Sequence, residues 1–318
     1  MNPPEANRPT ESGLRVWRRC PVCGTERGEP HLQKGPLRIV RCSRCGMLFA
    51  NPVEPRYLEG SVYEDLAQPY YLTPEKLESD YAPVRFKREL RLFRSYCRGG
   101  AVLDVGCSTG GFLHQLQKRR PGSYRVLGVD VSGPALDYAE RQGVPVLRSA
   151  FVSHDFGAEP FDAITFWAVL EHLSEPRRFL NKAATLLRPG GHCFLLVPNM
   201  GSLAVRYLGS HYRYIMPEHL NYFSRETLCR LLDREPSLRL RFLRTTHFNP
   251  IVIWQDRRRR GFVAEAERAR LLRRTTAWKQ SWLMTSARAL YALAEWSLSR
   301  LDWADNLAAV LEKIPDAR

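Results

Sequence analysis

The stretch Ala101–Phe112, AVLDVGCSTGGF, decides the fold of this chain. An apolar run ends on Asp104, a short glycine-rich loop follows, and a helix-like segment begins at Phe112. This order of strand, glycine loop and helix is the one that holds nucleotide-type ligands at the carboxyl end of a parallel strand. Glycine lets the backbone approach such a ligand closely because it carries no Cβ. The stretch therefore predicts a nucleotide-type site in an α/β sheet.

Two other ligand-binding motifs are excluded at this loop. The dinucleotide fingerprint G-x-G-x-x-G is not matched, because Ser108 stands where its second glycine belongs. A phosphate-cradling P-loop is excluded because no Gly-Lys-Ser/Thr follows. A glycine loop can also be an ordinary tight turn between a strand and a helix, so the rest of the chain must decide.

A second apolar strand, Tyr124–Val129, ends at an acidic residue, Asp130. A carboxylate at this point suits a ribose, because its two oxygens can accept both hydroxyl protons. Asp130 also lies at the expected separation of about 20–25 residues from the glycine loop. Its alternative role is a helix N-cap, for which Ser132 is better placed. We therefore predict that Asp130 binds a ribose.

Later segments continue the pattern of alternating strands and helices. Residues 161–166 read as a strand that runs into VLEH at residues 169–172. Leu186–Gly191 ends in Pro-Gly-Gly, a turn that supplies the positive φ needed to enter the next strand, Cys193–Val197. This alternation predicts a mostly parallel sheet with helices on both faces.

Together these motifs resemble those of class I S-adenosylmethionine-dependent methyltransferases. Asp104–Gly110 is similar to the first motif of that family, acidic-x-Gly-x-Gly-x-Gly, with Ser108 at the second glycine. The strand before VLEH and the Pro-Gly-Gly turn are similar to later motifs of the family, in the same order. The resemblance implies a Rossmann-like seven-stranded sheet and S-adenosyl-L-methionine as cofactor.

The resemblance also implies which residues contact the cofactor. The predicted contacts lie in the glycine loop and at the ends of the following strands: Asp104, Gly106, Cys107, Ser108, Gly110, Asp130, Val131, Phe151 and Trp167. Among them, Phe151 is the predicted stacking face for adenine. Asp155 is a second candidate near the adenine, for its exocyclic amine.

Methyl transfer from a sulfonium has a good neutral leaving group, so the protein mainly aligns the reactants. A hydroxyl acceptor, or a carbon next to a carbonyl, also needs a base. His172 and His219 are the candidate catalytic residues, because both fall at the carboxyl edge of the predicted sheet and histidine titrates near neutral pH. Each has the alternative reading of a structural histidine, and Glu171 is an alternative ligand-orienting group.

Four cysteines near the start of the chain predict a metal site. Cys20, Cys23, Cys42 and Cys45 form C-x2-C-x18-C-x2-C, a spacing typical of zinc ribbons. Each C-x-x-C turn directs two thiolates at one ion, and four protein ligands leave no open position. We therefore predict a structural Zn²⁺. The alternative is four free thiols in a reducing compartment.

The composition is that of an ordinary globular protein, with 44% hydrophobic and 25% charged residues among 318. The first residues have no apolar core of a signal peptide, and no apolar run reaches the roughly 18 residues of a membrane-spanning helix. We therefore expect a cytoplasmic protein. The net charge of +15 is compatible with nucleic acid or an anionic membrane as a partner, or with arginine simply spread over the chain.

The predicted organisation has five parts. A disordered tail is expected over 1–13, a zinc ribbon over 14–56, connecting helices or a lid over 57–98, a methyltransferase core over 99–248 plus 303–315, and a helical insertion over 249–302, before the last strand. The many tyrosines of the third part can form a lid or can pack between domains.

The insertion carries an arginine run, 257–260, beside a helical segment containing tryptophans. This combination predicts peripheral contact with an anionic membrane, at the inner face. The alternatives are a cap over the substrate cavity or a dimer face.

The zinc ribbon and the core together resemble methyltransferases of sugar and polysaccharide pathways. We therefore expect methyl transfer to a small-molecule, sugar or lipid-linked glycan acceptor, at oxygen or carbon. A ribosomal RNA methyltransferase is an alternative, although nucleic acid is the less favoured partner because the ribbon has few mixed basic and aromatic side chains. A non-catalytic binding protein is a third reading, against which the intact Asp104, Gly106, Gly110 and Asp130 argue.

Overall fold

The computed structural model describes residues 14–258, 261–280 and 283–315. The predicted disordered tail, 1–13, lies outside the described residues, as do Arg259 and Arg260 of the arginine run. The first part of the chain is a ribbon followed by short helices: β1 (Gly28–Lys34), β2 (Leu37–Cys42), β3 (Leu48–Ala50), α1 (Pro55–Glu59), α2 (Val62–Asp65), a π-helical turn (Ala67–Tyr71), α3 (Pro74–Tyr81) and α4 (Lys87–Tyr96).

The central part alternates strands and helices. Its elements are β4 (Gly100–Val105), α5 (Gly111–Arg119), β5 (Tyr124–Asp130), α6 (Gly133–Arg141), β6 (Val146–Arg148), β7 (Phe161–Trp167), a 3₁₀ turn (Leu170–His172), α7 (Pro176–Leu186), β8 (Leu187–Pro198), α8 (Leu203–Leu208) and a 3₁₀ turn (Gly209–His211). The last part contains β9 (Asn221–Tyr222), α9 (Arg225–Leu232), β10 (Leu238–Thr246), α10 (Pro250–Asp256), α11 (Glu265–Gln280), α12 (Leu283–Arg300) and β11 (Asn306–Lys313).

The large sheet has seven strands in the order β10-β11-β8-β7-β4-β5-β6. The strands from β8 to β6 run parallel, whereas β11 is antiparallel to both β8 and β10. The predicted Rossmann-like seven-stranded fold is therefore confirmed. Because parallel strands place their carboxyl ends at one edge, the loops after β4, β5 and β7 meet there.

The central strands are covered on both faces, which explains why they read as nearly continuous apolar runs. In β4 every residue after Gly100 is buried. One face packs through Leu103 and Ile164, and the other through Val102, with Phe93 of α4 against it. The sheet is therefore a rigid platform for the loops at its carboxyl edge.

The ribbon is not confined to the N-terminal strands. Its small antiparallel sheet has the order β1-β2-β3-β9, so a strand from residue 221 onward completes it. In this pairing Leu48 lies opposite Tyr222, and Phe49 lies opposite Asn221. The ribbon is thus joined by backbone hydrogen bonds to the segment that follows His219.

The helical insertion before the last strand is confirmed. The sequence predicts one helical stretch there, and the structure forms α10, α11 and α12. Helix α11 packs against α3 and the π-helical turn, and α12 packs against β10. None of the described helices is long and apolar enough to cross a bilayer.

Candidate active site

The glycine loop after β4 needs glycine at two positions. Gly106 has φ +70°, and a Cβ there would lie 2.7 Å from the side chain of Val169. Gly110 has φ +76°, and a Cβ there would lie 2.9 Å from Cβ of Ala139 on α6. Ser108, between them, also has a left-handed φ of 50°, and its buried Oγ has no hydrogen-bond partner among the described residues. The loop therefore runs close to both flanking elements.

The carboxylate of Asp130 faces this loop from the end of β5. Its Oδ2 accepts a hydrogen bond from the Ser108 amide at 2.8 Å. Its Oδ1 accepts bonds from the amides of Val131 and Ser132 at 2.7 and 3.0 Å. Burial raises the pKa of Asp130, and the three amides oppose that rise. Each carboxylate oxygen has two lone pairs, so Oδ1 is fully used by the two amides and Oδ2 can still accept one further hydroxyl proton.

Asp104 at the end of β4 is buried rather than directed to solvent. Its Oδ1 accepts a hydrogen bond of 2.5 Å from the hydroxyl of Thr165 on the neighbouring strand β7. Burial raises the pKa of Asp104 to about 7, with Thr165 opposing the rise. This carboxyl therefore joins β4 to β7.

Cys107 and Val131, two further predicted contacts, differ in how far their side chains are exposed. The Cys107 thiol is buried, and its Sγ packs so closely over Gly128 that a Cβ there would be 2.5 Å away. Val131 is 41% exposed to solvent. Of these two predicted contacts, only Val131 presents a side chain to the outside.

The aromatic contacts differ from the expectation. Phe151 is buried, and its ring is 5.6 Å from the rings of Phe156 and Phe179 and 5.8 Å from that of Phe166. It is therefore part of a closed aromatic cluster and offers no free face to an adenine. Asp155 closes its own turn by accepting a bond from the Gly157 amide.

Trp167 ends β7, directly before Ala168, which has a left-handed φ of 58°. The Trp167 ring is 5.2 Å from that of Phe112 in α5, the helix that follows the glycine loop. Its buried indole Nε1–H has no acceptor among the described residues. The β7 end therefore combines an unusual backbone conformation with an unpaired donor.

Helix α2 lies across the carboxyl edge of the sheet. The hydroxyl of Ser132 donates to the Tyr63 carbonyl oxygen at 3.3 Å, and the amide of Gly133 donates to Glu64 Oε1 at 2.9 Å. The ring of Tyr63 meets that of His172 edge-on at 5.8 Å. The helix thus bridges the end of β5 to the turn that follows β7.

Three polar side chains converge beyond β7. Glu171, His172 and His219 place one ligand-type atom each within 4.8 Å of the others. The two imidazole rings stand at 86° with centroids 4.7 Å apart. His172 Nδ1 lies 2.8 Å from the carbonyl oxygen of Glu218 and so acts as the donor, which leaves the lone pair on Nε2. The structure therefore brings together the two predicted catalytic histidines and the alternative group beside them.

Burial controls the charge of this cluster. It raises the pKa of Glu171 to about 8, lowers that of His172 to about 4, and lowers the pKa of His219 well below its ordinary value. Both imidazoles are consequently neutral at pH 7. Glu171 Oε2 and His219 Nδ1 are buried and have no hydrogen-bond partner in the described part of the chain.

Residues that the motifs do not contain hold the cluster in place. The side-chain amide of Asn221 donates to the carbonyl oxygens of Leu170 and Leu173 at 2.8 and 2.7 Å. The backbone amide of Leu220 donates to the carbonyl oxygen of Glu171 at 2.7 Å. These bonds join two segments about fifty residues apart. Leu220 and Asn221 were not predicted from the sequence, in which the one signal for them is an asparagine two residues after the candidate His219.

Helix α11 of the insertion closes the other side of the cluster. Arg268 forms an ion pair of 2.6 Å with Glu218, itself buried next to His219. The Arg268 guanidinium also lies 4.3 Å from the ring centroid of Tyr70. The insertion therefore contacts the candidate site directly, as in the alternative reading of a cavity cap.

The four cysteines form a second polar centre, in the ribbon. Their sulfurs all lie within 4.8 Å of one another, with Cys20–Cys45 at 3.4 Å and Cys23–Cys42 at 3.5 Å. Four sulfurs at about 2.3 Å from one zinc ion would be about 3.8 Å apart, so the donor set and its spacing fit the ion. The tight turns needed at each pair use Gly24 and Gly46, both with positive φ.

Comparison with known proteins places this architecture in a family. A sequence profile described as "Methyltransferase domain" matches residues 81–235. The ubiquinone biosynthesis O-methyltransferase of Coxiella burnetii (strain RSA 493 / Nine Mile phase I) is 30% identical over 199 residues, which cover 54% of this chain and 81% of that protein. The enzyme of the same name from Chromobacterium violaceum is 31% identical over 138 residues, 40% of this chain and 58% of its own length.

Two solved structures align with most of this chain. N-methyltransferase NodS from Bradyrhizobium japonicum WM9, in complex with S-adenosyl-L-homocysteine, aligns with 80% of this chain and 98% of its own at 16% identity and a TM-score of 0.46. A possible histamine N-methyltransferase from Thermotoga maritima aligns with 79% and 99% at 14% identity and a TM-score of 0.49.

The sequence relatives, rather than these structures, establish the family, because one of them is matched over most of its length. The chain belongs to the S-adenosylmethionine-dependent methyltransferases. The predicted enzyme class is thereby confirmed, and the acceptor and the individual site residues stay predictions.

Proposed function

We propose that this chain binds S-adenosyl-L-methionine over the glycine loop and transfers its methyl group to an oxygen of a small-molecule acceptor. The observation that carries the proposal is the Asp130 carboxylate, held against the Ser108 amide at the end of β5. A hydroxyl of a ribose bound there would donate a charge-assisted hydrogen bond to this fixed carboxylate. The unpaired Ser108 Oγ and Trp167 Nε1 supply further polar atoms beside the loop.

The acceptor lies, in this proposal, at the cluster of Glu171, His172 and His219. Tyr63 contacts His172 and, through its backbone, Ser132, so cluster and cofactor site adjoin. The acceptor oxygen attacks the methyl carbon while the carbon–sulfur bond breaks and its electron pair returns to sulfur. The proton of the acceptor hydroxyl moves to the lone pair of one of the two neutral imidazoles as the oxygen attacks. His172 and His219 remain the proposed activating residues.

The names of the sequence relatives favour O-methylation over C-methylation. More specifically, we propose that the acceptor is a sugar or a lipid-linked glycan. This proposal rests on the resemblance of the zinc ribbon and the core together to methyltransferases of sugar and polysaccharide pathways. Hydroxyl groups of such acceptors suit a cluster of neutral bases.

We further propose that Cys20, Cys23, Cys42 and Cys45 bind a structural Zn²⁺. The sulfur spacing supports it, and so does the small size of the ribbon, which leaves little apolar core of its own. A four-thiolate site has no position for a substrate, so this ion would stabilise rather than react.

Contact with an anionic membrane is proposed for helix α12. Leu290, Leu293 and Trp296 are 73%, 60% and 55% exposed, and their three-residue spacing puts them on one face. Arg300 lies 4.9 Å from the Trp296 ring centroid, at the end of that face. An apolar helix face with a basic residue beside it is the arrangement that inserts at a lipid interface.

Calorimetry with S-adenosyl-L-methionine tests the cofactor site. We expect the unmodified chain to bind it and Asp130→Ala to weaken binding by about 100-fold or more, because a charge-assisted hydrogen bond to the ribose is lost and the glycine loop loses the bond between Asp130 and the Ser108 amide. Asp137→Ala is the matched control, since Asp137 forms only an exposed ion pair with Arg148. No heat from the unmodified chain would favour the non-catalytic reading.

A screen with methyl-labelled cofactor tests the acceptor. Hydroxyl-bearing small molecules, sugars and lipid-linked glycans form one panel, and ribosomal RNA forms the other. Label transfer to the first panel supports the proposal, and transfer to RNA alone overturns its acceptor class.

A further inference from the structure

The three side chains beyond β7 have the composition of a metal centre. Two imidazoles and one carboxylate converge there, with ligand-type atoms within 4.8 Å of one another. Resting on the proposed function, we propose that Glu171, His172 and His219 bind one divalent transition-metal ion, and that this ion holds the acceptor oxygen. It would be distinct from the zinc of the ribbon.

The unpaired atoms support this site. Glu171 and His219 are 1% and 3% exposed, yet Glu171 Oε2 and His219 Nδ1 have no hydrogen-bond partner in the part of the chain that the structure describes. A buried polar atom without a hydrogen-bond partner destabilises the folded chain. Both atoms belong to the same cluster, so a single ion between them satisfies both.

The tautomer of His172 also supports a metal site. Its Nδ1–H donates to the Glu218 carbonyl oxygen, which fixes the ring and leaves Nε2 as a ligand atom. Metal-binding histidines typically donate their other ring N–H to a carbonyl or carboxylate in this manner.

The distances and the local charge are compatible with an ion. Ligand atoms about 2.0–2.2 Å from one ion in tetrahedral geometry are about 3.3–3.6 Å apart, so side chains whose ligand atoms lie within 4.8 Å would close in by up to about 1.5 Å. Arg268 is the nearby cation, and its charge is balanced by the ion pair with Glu218. Glu171, by contrast, has no cationic partner among the ion pairs of the described residues.

The ligand set indicates the class of ion and its role. Imidazole and carboxylate together suit zinc, iron, cobalt or nickel rather than magnesium or calcium. Three protein ligands leave at least one open position, in contrast to the closed four-thiolate site. His172 is only half-buried, so the open position can face the acceptor. With the ion bound, the lone pairs of His172 and His219 would serve as ligands, and the ion rather than a histidine would lower the pKa of the acceptor hydroxyl.

Cobalt binding to the full chain, with zinc already in the ribbon, tests this inference. We expect one Co²⁺ per chain in addition to the zinc, with visible d–d bands and no sulfur-to-cobalt charge transfer. Glu171→Gln, His172→Asn and His219→Ala should each weaken cobalt binding by about 100-fold or more while the zinc content is unchanged. His172→Asn keeps a donor for the Glu218 carbonyl, so it separates ligand loss from misfolding. His192→Ala, a change in β8, is the matched control.

The outcomes separate this inference from the proposed function. A chain that binds S-adenosyl-L-methionine and transfers methyl groups, but takes up no second ion, overturns the metal site alone. Cobalt binding that survives all three substitutions also overturns it, because the ion then lies elsewhere. A chain that loses cobalt with these substitutions but binds no S-adenosyl-L-methionine supports the metal site and overturns the proposed function.

Discussion

Arg18 of the ribbon donates a hydrogen bond of 3.1 Å to the side-chain oxygen of Asn221, in the segment that follows His219. The same guanidinium donates to the carbonyl oxygens of Leu220 and Ser174 at 3.1 and 2.8 Å. Asn221 in turn holds the turn that carries Glu171 and His172. The ribbon therefore braces both segments of the candidate active site.

This brace predicts an effect of Arg18→Ala on activity. Three buried or half-buried acceptors lose a charged donor, so we expect a loss of about 2–4 kcal/mol in the free energy of unfolding. Methyl-transfer kcat should fall, while the affinity for S-adenosyl-L-methionine changes little. Arg19→Ala is the control, because Arg19 forms only an exposed ion pair with Glu26. Equal effects of the two changes on kcat would contradict the brace.

Because Gly110 lies so close to α6, we expect that adding one methyl group at this position lowers the free energy of unfolding. Gly110→Ala forces a Cβ to 2.9 Å from Ala139 and keeps a positive φ, so both the loop and α6 must shift. We expect a loss of about 2–4 kcal/mol in unfolding free energy and loss of cofactor binding. Gly122→Ala shares the positive φ but meets nothing within 4 Å, so it isolates the backbone strain of about 1 kcal/mol. Urea unfolding and calorimetry measure both quantities.

Asp104 predicts how stability changes with pH. Its folded-state pKa of about 7 lies above the ordinary value of 3.8, so the folded chain holds this proton more tightly than the unfolded chain. The stabilisation is present below pH 4 and is lost as the pH rises to 7, by up to about 1.4 kcal/mol per pH unit.

Asp104→Asn removes this titration while keeping an oxygen for the Thr165 hydroxyl. We expect its unfolding free energy to decline less than that of the unmodified chain between pH 4 and 7, as measured by urea unfolding. Asp137→Asn is the exposed control. Parallel curves for the Asp104 variant and the unmodified chain would show that Asp104 is ionised throughout.

The ribbon predicts a metal dependence. We expect one tightly held zinc per chain in metal analysis, and Cys42→Ser should lose it together with ribbon stability. Since β3 pairs with β9, loss of the ion should also lower methyl-transfer activity. Cys229→Ser, outside the ribbon, is the control. Full zinc content in the Cys42 variant would refute the four-thiolate site.

The exposed face of α12 predicts lipid binding. Replacing Leu293 and Trp296 with serine should weaken binding to vesicles that contain phosphatidylglycerol, because it removes most of the apolar face. Trp254→Ser is the matched control, since Trp254 is 65% exposed on a different helix. Sedimentation with vesicles gives the readout, and unchanged partitioning of the double variant would remove the membrane proposal.

The sheet could be predicted from the sequence because its signals are local. Each strand has its own apolar run, and the last strand, Asn306–Lys313, lies within the predicted core segment 303–315. The convergence of His172 and His219 is not local: it depends on Asn221, whose amide spans two turns. The sequence therefore indicated that both histidines lie at the carboxyl edge of the sheet. It did not indicate that their rings are in contact.

The contacts of Phe151 could not be predicted either. The family resemblance indicated a cofactor contact, which stays a prediction, and the structure packs its ring against three other phenylalanines. Which of several aromatic residues face each other depends on packing between elements far apart in the chain. Likewise, nothing in the ribbon sequence indicated that residues 221–222 complete its sheet.

The position of β11 between β8 and β10 has a consequence during synthesis. Of the described strands it is the last to be translated, yet it fills an interior place. Until it emerges from the ribosome, both neighbours expose an unpaired edge, and such edges attract strands of other chains. During synthesis the place between β8 and β10 therefore stays empty, and nascent chains stalled within α11 or α12 should be the ones that most need a chaperone.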